Sequence, residues 1–473
     1  MEKELNLNTQ TPNLQDELSN LKRELEAITK DFAVLKREIK LTKNYVKESH
    51  WLWYYALHKS MEDALRKKAQ RGEKIRIVFM ISEVSGKFES KSVYDAMKDG
   101  DVFEPIMLIV HVRDKYLNDD EYKDLKKEYN LMLERGYNAV FGYDENKRPI
   151  GLSSLRPDIV FDNNPNRHHN SHYNNMVANM SYLTCYIQYG YNVVNSFTYH
   201  YENNNIGTCW KVFVPTYFDL YMHNDYHGIR AALDPPEKPM CANTILTGYP
   251  KMDAYVHDEG DKCIPNKFKN GNPIIIYAPH WTVGVNLNFC SFDKYYENLL
   301  NLVKNNPDIN FVFKPHPGLP VRIKEIERLS VDCFMTYNQY CDYLDIWDSL
   351  PNGAVIEDGE YINLFKRSSG LITDSGSFVA EYLPSGNPCI YLLNGKEHYD
   401  KMNAFGRKIL NGYYCCYDWN EVLSEFKKVI IEGNDTKKDL RIQTCKEDFI
   451  NIGTAGKIIV EHIEDVLNIK IKR

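Results

Sequence analysis

Residues 370–391 read GLITDSGSFVAEYLPSGNPCIY: apolar Leu371-Ile372, a small polar turn from Thr373 to Ser377, a helical FVAEYL, a connection with Gly386, and an apolar run from Cys389 to Leu392. This succession predicts a βαβ unit and therefore an α/β fold with a parallel sheet. The helix starts on small polar residues. Its first backbone N–H groups have no intrahelical partner, and the helix dipole puts partial positive charge there, so the segment predicts an anion cradle. Ser375 and Ser377 would add hydroxyl donors, and Gly376 would let the backbone approach a ligand closely. The plainer alternative is that Asp374 or Ser375 only caps a structural helix.

Two upstream runs favour the cradle. Pro273 to Tyr277 (PIIIY) reads as a buried strand ending in Ala278-Pro279-His280-Trp281-Thr282, and Asn310 to Phe313 (NFVF) as another ending in Lys314-Pro315-His316-Pro317. Ligands of parallel α/β sheets bind outside the carboxyl ends of the strands, so the three stretches should converge on one crevice. His280, Thr282, Lys314 and His316 are therefore candidate site residues beside Asp374, Ser375, Gly376 and Ser377.

A second α/β rhythm lies earlier. Lys74 to Ile81 (KIRIVFMI) is the first strand, followed by helix 90–98, strand 105–110, helix 120–135 and strands 139–142 and 158–161. The turn at residues 82–87 lacks G-x-G-x-x-G and predicts no dinucleotide. Asp99-Gly-Asp101 sits where a chain turn is expected and reads as that turn rather than as a metal site. Strand 182–192 runs into Tyr189-Gly190-Tyr191. His168, His169 and His172 lie in an Asn-rich stretch that reads as an exposed loop. Residues 262–272, rich in Lys, Asn, Gly and Pro, are the best linker. Three regions follow: residues 1–70, a helical extension; 71–262, a first Rossmann-like domain; and 263–473, a second one that carries the expected anion cradle.

The extension has its own pattern. Leu14, Leu18, Leu21, Leu25, Ile28, Phe32, Leu35 and Ile39 follow the 4-3 spacing of a heptad seam, which predicts a coiled coil and a homo-oligomer; an amphipathic helix folded onto its own domain is the alternative. From Lys22 to Lys47 eight Lys/Arg face four Asp/Glu, and His50-Trp51-Leu52-Trp53-Tyr54-Tyr55 follows. A basic helix ending in such aromatics can rest on an anionic membrane surface.

Composition narrows the classes. With 473 residues, a net charge of −7 and a pI near 6.1, bulk electrostatics gives no case for nucleic-acid binding. The eleven cysteines contain no C-x-x-C, which fits neither a disulfide framework nor a thiolate zinc site and points to a reducing cytoplasm. No apolar run approaches the ~20 residues needed to span a bilayer. The expected location is cytoplasmic, with peripheral contact at the inner face of the membrane.

As a set, TGYPKMD (residues 247–253), IIYAPHWT (275–282), FKPHPGLP (313–320) and ITDSGSFVAEYLPSGNPCIY (372–391) resemble the CDP-glycerol glycerophosphotransferase family of teichoic acid and capsule synthesis. The resemblance covers roughly residues 74–393 and implies a GT-B fold, two Rossmann-type domains with a cleft between them. It implies that Lys314, His316, Ser375, Gly376 and Ser377 contact the pyrophosphate of a CDP-linked donor, that Glu381 meets the ribose, and that His280 lies near the reacting phosphate. The acceptor would be a hydroxyl of a polymer or lipid-linked molecule, with no cofactor and no metal required. The chain departs from the family at one place: polymerases of this family carry a His-Gly pair in the first domain that is associated with the catalytic base, and Tyr189-Gly190 stands there instead. Another His-Gly pair, His227-Gly228, falls in a loop outside the motif. A tyrosine with pKa near 10 is a poor base at neutral pH, which leaves the base assignment open; His280, with an unperturbed pKa near 6.5, can act as base. A glycosyltransferase using a nucleotide sugar and a non-catalytic coiled-coil scaffold stand as alternatives.

Overall fold

A computed structural model describes residues 14–81, 88–111, 117–162, 175–196, 201, 204–227, 243–257, 260–285, 287–329, 333–357, 359 and 361–469. The turn at residues 82–87, the three histidines His168, His169 and His172, and Gly228 lie outside them.

Runs of consecutive apolar residues form strands buried on both faces, as in parallel sheets covered by helices. The first sheet holds β1 (Ile75–Ile81), β2 (Phe103–Ile109), β3 (Ala139–Phe141), β4 (Ile159–Asp162), β5 (Leu183–Ile187), β6 (Lys211–Val214) and β7 (Thr244–Leu246), in the order β3-β2-β1-β4-β5-β6-β7. The second holds β8 (Ile274–Ala278), β9 (Asn310–Phe313), β10 (Gly353–Val355), β11 (Gly370–Thr373), β12 (Cys389–Leu392) and β13 (Tyr414–Cys416), in the order β10-β9-β8-β11-β12-β13. Every pairing is parallel. The strand order reverses between β8 and β11, so this pair is the topological switch of the second sheet, where a ligand crevice is expected. The strands that end in His280 and in Asp374-Ser375-Gly376 are these two.

Two compact units divide the chain, residues 1–56 and 57–473. Helix α1 (Leu14–Gln70) passes from one to the other. Within the larger unit, the last turns of α1 pack on the first sheet: Leu65 joins its core, and the buried Glu62 accepts a 2.8 Å hydrogen bond from Trp210 Nε1. The chain's final helix, Ala455–Leu467, returns to the first sheet and buries Ile459, Val460 and Ile463 there. Asp253, in the TGYPKMD motif, secures this return by accepting from the first amides of that helix, Ala455 N at 3.0 Å and Gly456 N at 2.8 Å.

The segment after β5 stitches the two sheets together. Val193 O accepts from Asn403 N at 3.0 Å, Asn195 N donates to Lys401 O at 2.8 Å, and Val194 bridges Met402. Gly406 permits this approach, since a Cβ there would collide with the Val193 carbonyl oxygen.

Two elements of the second domain go beyond the sequence expectation, and one turn agrees with it. The aromatic stretch around Trp347 is a helix, Tyr337–Ser349, started by a Thr336/Gln339 capping box. Helix Trp419–Glu425 widens into π-helical turns over Phe426–Ile431. Asp99 closes helix α2 (Lys91–Lys98), in agreement with the turn reading of Asp99-Gly-Asp101.

Candidate functional site

The site forms where β8, β9 and β11 end. β8 delivers Pro279-His280-Trp281-Thr282, β9 delivers Lys314-Pro315-His316, and β11 delivers Asp374-Ser375-Gly376-Ser377 at the start of helix Gly376–Tyr382. The rings of His280 and His316 lie 5.3 Å apart, centre to centre. The expected convergence of the three motifs is therefore present.

Asp374 is the correction. Its carboxylate is buried and does not face the crevice: Oδ1 accepts from His280 N at 2.6 Å, and Oδ2 accepts from Ser291 N and Ser291 Oγ at 2.7 and 2.8 Å. It pins the His280 loop to the end of β11 instead of touching a ligand. Burial raises its pKa to about 6 against the pull of these hydrogen bonds. Thr373 fastens the same junction, donating to Ala278 O at 2.5 Å and accepting from Ser375 N at 3.0 Å.

The plain capping alternative fails as well. Asp374 is turned away, and Ser375, the residue at the cap position, makes no side-chain cap hydrogen bond. Its hydroxyl lies 3.4 Å from that of Ser377. Two hydroxyls thus gather at a helix start that no side chain caps.

The two histidines differ in their tautomeric constraints. His316 Nδ1 accepts a 2.9 Å hydrogen bond from Gly318 N, so the proton of the neutral ring sits on Nε2 and makes that atom a donor. His316 can therefore bind an anion without becoming protonated. Gly318 fits closely here, because a Cβ would stand 3.0 Å from Trp281 and 3.2 Å from His316 Nδ1. His280 Nδ1 lies 2.9 Å from Thr282 Oγ1, which also accepts from Phe289 N at 3.1 Å. When Nδ1–H donates to Thr282, Nε2 is left as an acceptor, the form that a base needs. Crowding by protein lowers the His280 pKa to about 4, so the ring is neutral at pH 7.

A second cluster joins the two domains beside the cradle. Lys251 of TGYPKMD donates to Tyr361 OH at 2.7 Å and lies 3.4 Å from Glu381 Oε2, and Tyr361 OH donates to the same carboxylate. The ammonium groups of Lys251 and Lys314 stand 3.9 and 4.9 Å from the centre of the Tyr361 ring. Lys251 and Lys314 are buried, as is Glu381. Tyr189-Gly190 reaches this place too. Glu381 Oε1 lies 4.0 Å from where a Cβ on Gly190 would stand, and Gly190 has φ +68°, a conformation that disfavours any side chain. Behind the turn, Gln188 donates to Gly190 O and to the buried Asp219, 2.7 Å away, whose pKa burial raises to about 6. Lys251 also lines a cavity of about 460 Å³ with Phe88, Ser92, Ile362 and Asn363, and none of the cradle residues lines it.

Sequence reading missed Lys251 and Tyr361, although Lys251 stood inside a quoted motif. It also missed Ser291 and His398. His398 Nδ1 accepts from Asn394 N at 3.0 Å, its Nε2 meets Tyr391 OH at 2.8 Å, and its ring stacks on Phe289 at 3.8 Å, beneath the His280 loop. Among the described residues, no group of three or more His, Cys, Asp and Glu side chains is placed to hold a metal ion, and no helix is long and apolar enough to cross a membrane.

No protein-family model matches the chain, and no curated protein matches it in sequence. Solved structures do. The wall teichoic acid polymerase TagF aligns over 90% of this chain and 98% of its own, with a TM-score of 0.55 and 15% identity. The S. aureus MnaA–UDP structure covers 84% of this chain and 98% of its own, with a TM-score of 0.52 and 13% identity. A UDP-GlcNAc 2-epimerase from Neisseria meningitidis bound to UDP-GlcNAc covers 83% and 100%, with a TM-score of 0.50 and 14% identity. The fold is GT-B. At these identities the similarity is one of fold.

Proposed function

We propose that this chain is a transferase that moves a glycerol-phosphate, or a related polyol-phosphate, from a CDP-linked donor to a hydroxyl of a cell-surface polymer or lipid-linked acceptor, releasing CMP. One observation carries the reading: the uncapped helix start with Ser375 and Ser377 follows β11, and its neighbour β8 ends in His280, whose ring lies 5.3 Å from that of His316 after β9, so that hydroxyls, helix amides, His316 and Lys314 gather at adjoining strand ends as a pyrophosphate would need. The four motifs that carry the family resemblance supply the choice of CDP-polyol.

In the proposed reaction the acceptor oxygen attacks the β-phosphorus of the donor. The P–O bond to CMP breaks, its electron pair leaves with CMP, and the acceptor proton passes to His280 Nε2, steadied through Nδ1–H by Thr282. Lys314, His316 Nε2–H, the amides of Gly376 and Ser377 and the hydroxyls of Ser375 and Ser377 offset the charge on the phosphates, and positioning does most of the work. A base whose conjugate acid has a pKa of about 4 takes the proton late, as the new P–O bond forms. Glu381, whose Oε2 lies 3.4 Å from the Lys251 ammonium, would accept from the ribose hydroxyls through Oε1, beside Tyr189-Gly190. The charges already present make a metal unnecessary in this scheme.

A nucleotide-sugar enzyme is the second reading, favoured by the fold similarity, slightly lower than that to TagF, to the epimerase bound to UDP-GlcNAc. Incubation with CDP-glycerol, CDP-ribitol and UDP-GlcNAc, each with polymer and lipid-linked acceptors, tests both. CMP released from a CDP-polyol supports the proposal; consumption of UDP-GlcNAc alone supports the alternative, and an inert protein with all three supports a scaffold. In cells the enzyme would work on the cytoplasmic side, next to the membrane that carries its acceptor. Trp53 and Tyr55 of α1, 50% and 47% exposed, are the described aromatics that could touch that membrane.

A further inference from the structure

In the first half of α1, Leu25, Ile28, Phe32 and Leu35 are 65%, 64%, 68% and 52% exposed. Four large apolar side chains at 3-4-3 spacing on one face of a helix make a stripe that is stable in water only when covered. The charges beside the stripe indicate the cover. With Leu18, Leu25, Phe32 and Ile39 at heptad positions a, and Leu14, Leu21, Ile28 and Leu35 at d, the g positions are Glu17, Glu24, Asp31 and Glu38, and the e positions are Lys22, Thr29, Lys36 and Lys43. All four g residues are acidic, and three of the four e residues are lysines.

This pattern selects both partner and direction. In a parallel, in-register pair each g residue meets the e residue five positions later in the other helix: Glu17 with Lys22, Glu24 with Thr29, Asp31 with Lys36 and Glu38 with Lys43. Three of these contacts join opposite charges and none joins like charges. In an antiparallel pair g meets g and e meets e, setting acid against acid along one flank and lysine against lysine along the other. A membrane surface fits less well, since a helix lying on anionic lipid places cations along both borders of its apolar face, and here one border is wholly acidic. We infer that the stripe is covered by a second copy of this chain, running parallel and in register, and that the two chains leave the pair at the same end to continue into their GT-B units.

The test uses the full-length protein. Light scattering should give twice the 55.3 kDa chain mass. In Leu25→Cys, mild oxidation followed by peptide mapping should yield a disulfide between the two copies of position 25, because an a residue faces its own counterpart only when the helices are parallel and in register. A triple variant, Glu24→Lys/Asp31→Lys/Glu38→Lys, places lysine on both flanks and should weaken self-association by at least ~10-fold, several charge pairs of a few tenths of a kcal/mol each being reversed in both helices. Leu25 is exposed, so its substitution leaves the cores intact. A monomeric wild type overturns the inference. So does a dimer in which position 25 links only to other cysteines, and so does a dimer that the triple variant leaves unchanged.

Discussion

His316→Asn separates the two functions of that imidazole. An asparagine amide oxygen falls near the place of Nδ1 and can still accept the 2.9 Å bond from Gly318 N, but nothing replaces the Nε2–H. The loop should therefore keep its shape while the proposed donor to phosphate is lost. A hydrogen bond to a charged group contributes ~1.5–3 kcal/mol, so the affinity for CDP-glycerol should fall by roughly 10- to 150-fold at ~1.4 kcal/mol per decade. His316→Gln places an N–H near Nε2 and gives up the Gly318 bond. It should retain more affinity than the asparagine variant and melt at a lower temperature. Calorimetric titration with CDP-glycerol, beside thermal unfolding of each variant, makes the comparison. If His316→Asn binds the donor as the wild type does, His316 is not a phosphate ligand and the cradle reading loses one of its principal donors.

Three further outcomes follow from the same geometry. His280→Ala should leave donor affinity nearly intact while cutting turnover by roughly 10²–10⁴; equal damage to affinity would make both histidines phosphate ligands and move the search for the base toward Tyr189. The His280 pKa drops from 6.5 unfolded to about 4 folded, so protons favour the unfolded chain between these values: its contribution to stability is complete above pH 6.5 and is lost as the pH falls toward 4. Denaturant titrations should show a shallower loss over that window in His280→Asn than in the wild type, and the acid limb of wild-type kcat/KM should lie near pH 4; a limb at 6.5 contradicts the crowded environment. Transfer should persist in EDTA, and complete loss restored by Mg²⁺ or Mn²⁺ would refute the metal-free scheme. Gly406→Ala is a further probe: alanine ordinarily favours a helix by ~1 kcal/mol over glycine, but the collision with the Val193 carbonyl costs ~1–3 kcal/mol, so its melting temperature should fall rather than rise.

The sequence carried the frame of the second domain because PIIIY, NFVF, GLIT and CIYL are short continuous apolar runs, and such runs mark strands buried on both faces. It brought His280, Lys314, His316 and Ser375 to one place because strand ends of a parallel sheet share an edge. Tyr337–Ser349 escaped because its buried face is made of Tyr340, Tyr343 and Trp347, which spread through a polar stretch without reading as an apolar stripe. Asp374 was misassigned for a different reason. Its local setting is that of a cap, whereas its partners come from Ser291, 83 residues earlier, and from the His280 loop. The Lys251–Tyr361–Glu381 contact was equally hidden, since no local pattern relates three residues that meet only when the two sheets pack together.

Steady-state release of CMP from CDP-glycerol in the presence of a polymer or lipid-linked acceptor, compared between the wild type and Lys314→Ala, is the most direct test of the proposed transfer. The expected result is acceptor-dependent CMP release by the wild type, with Lys314→Ala weaker in donor binding. No CMP from any CDP-polyol, together with turnover of UDP-GlcNAc, would contradict it and assign the cradle to a nucleotide sugar.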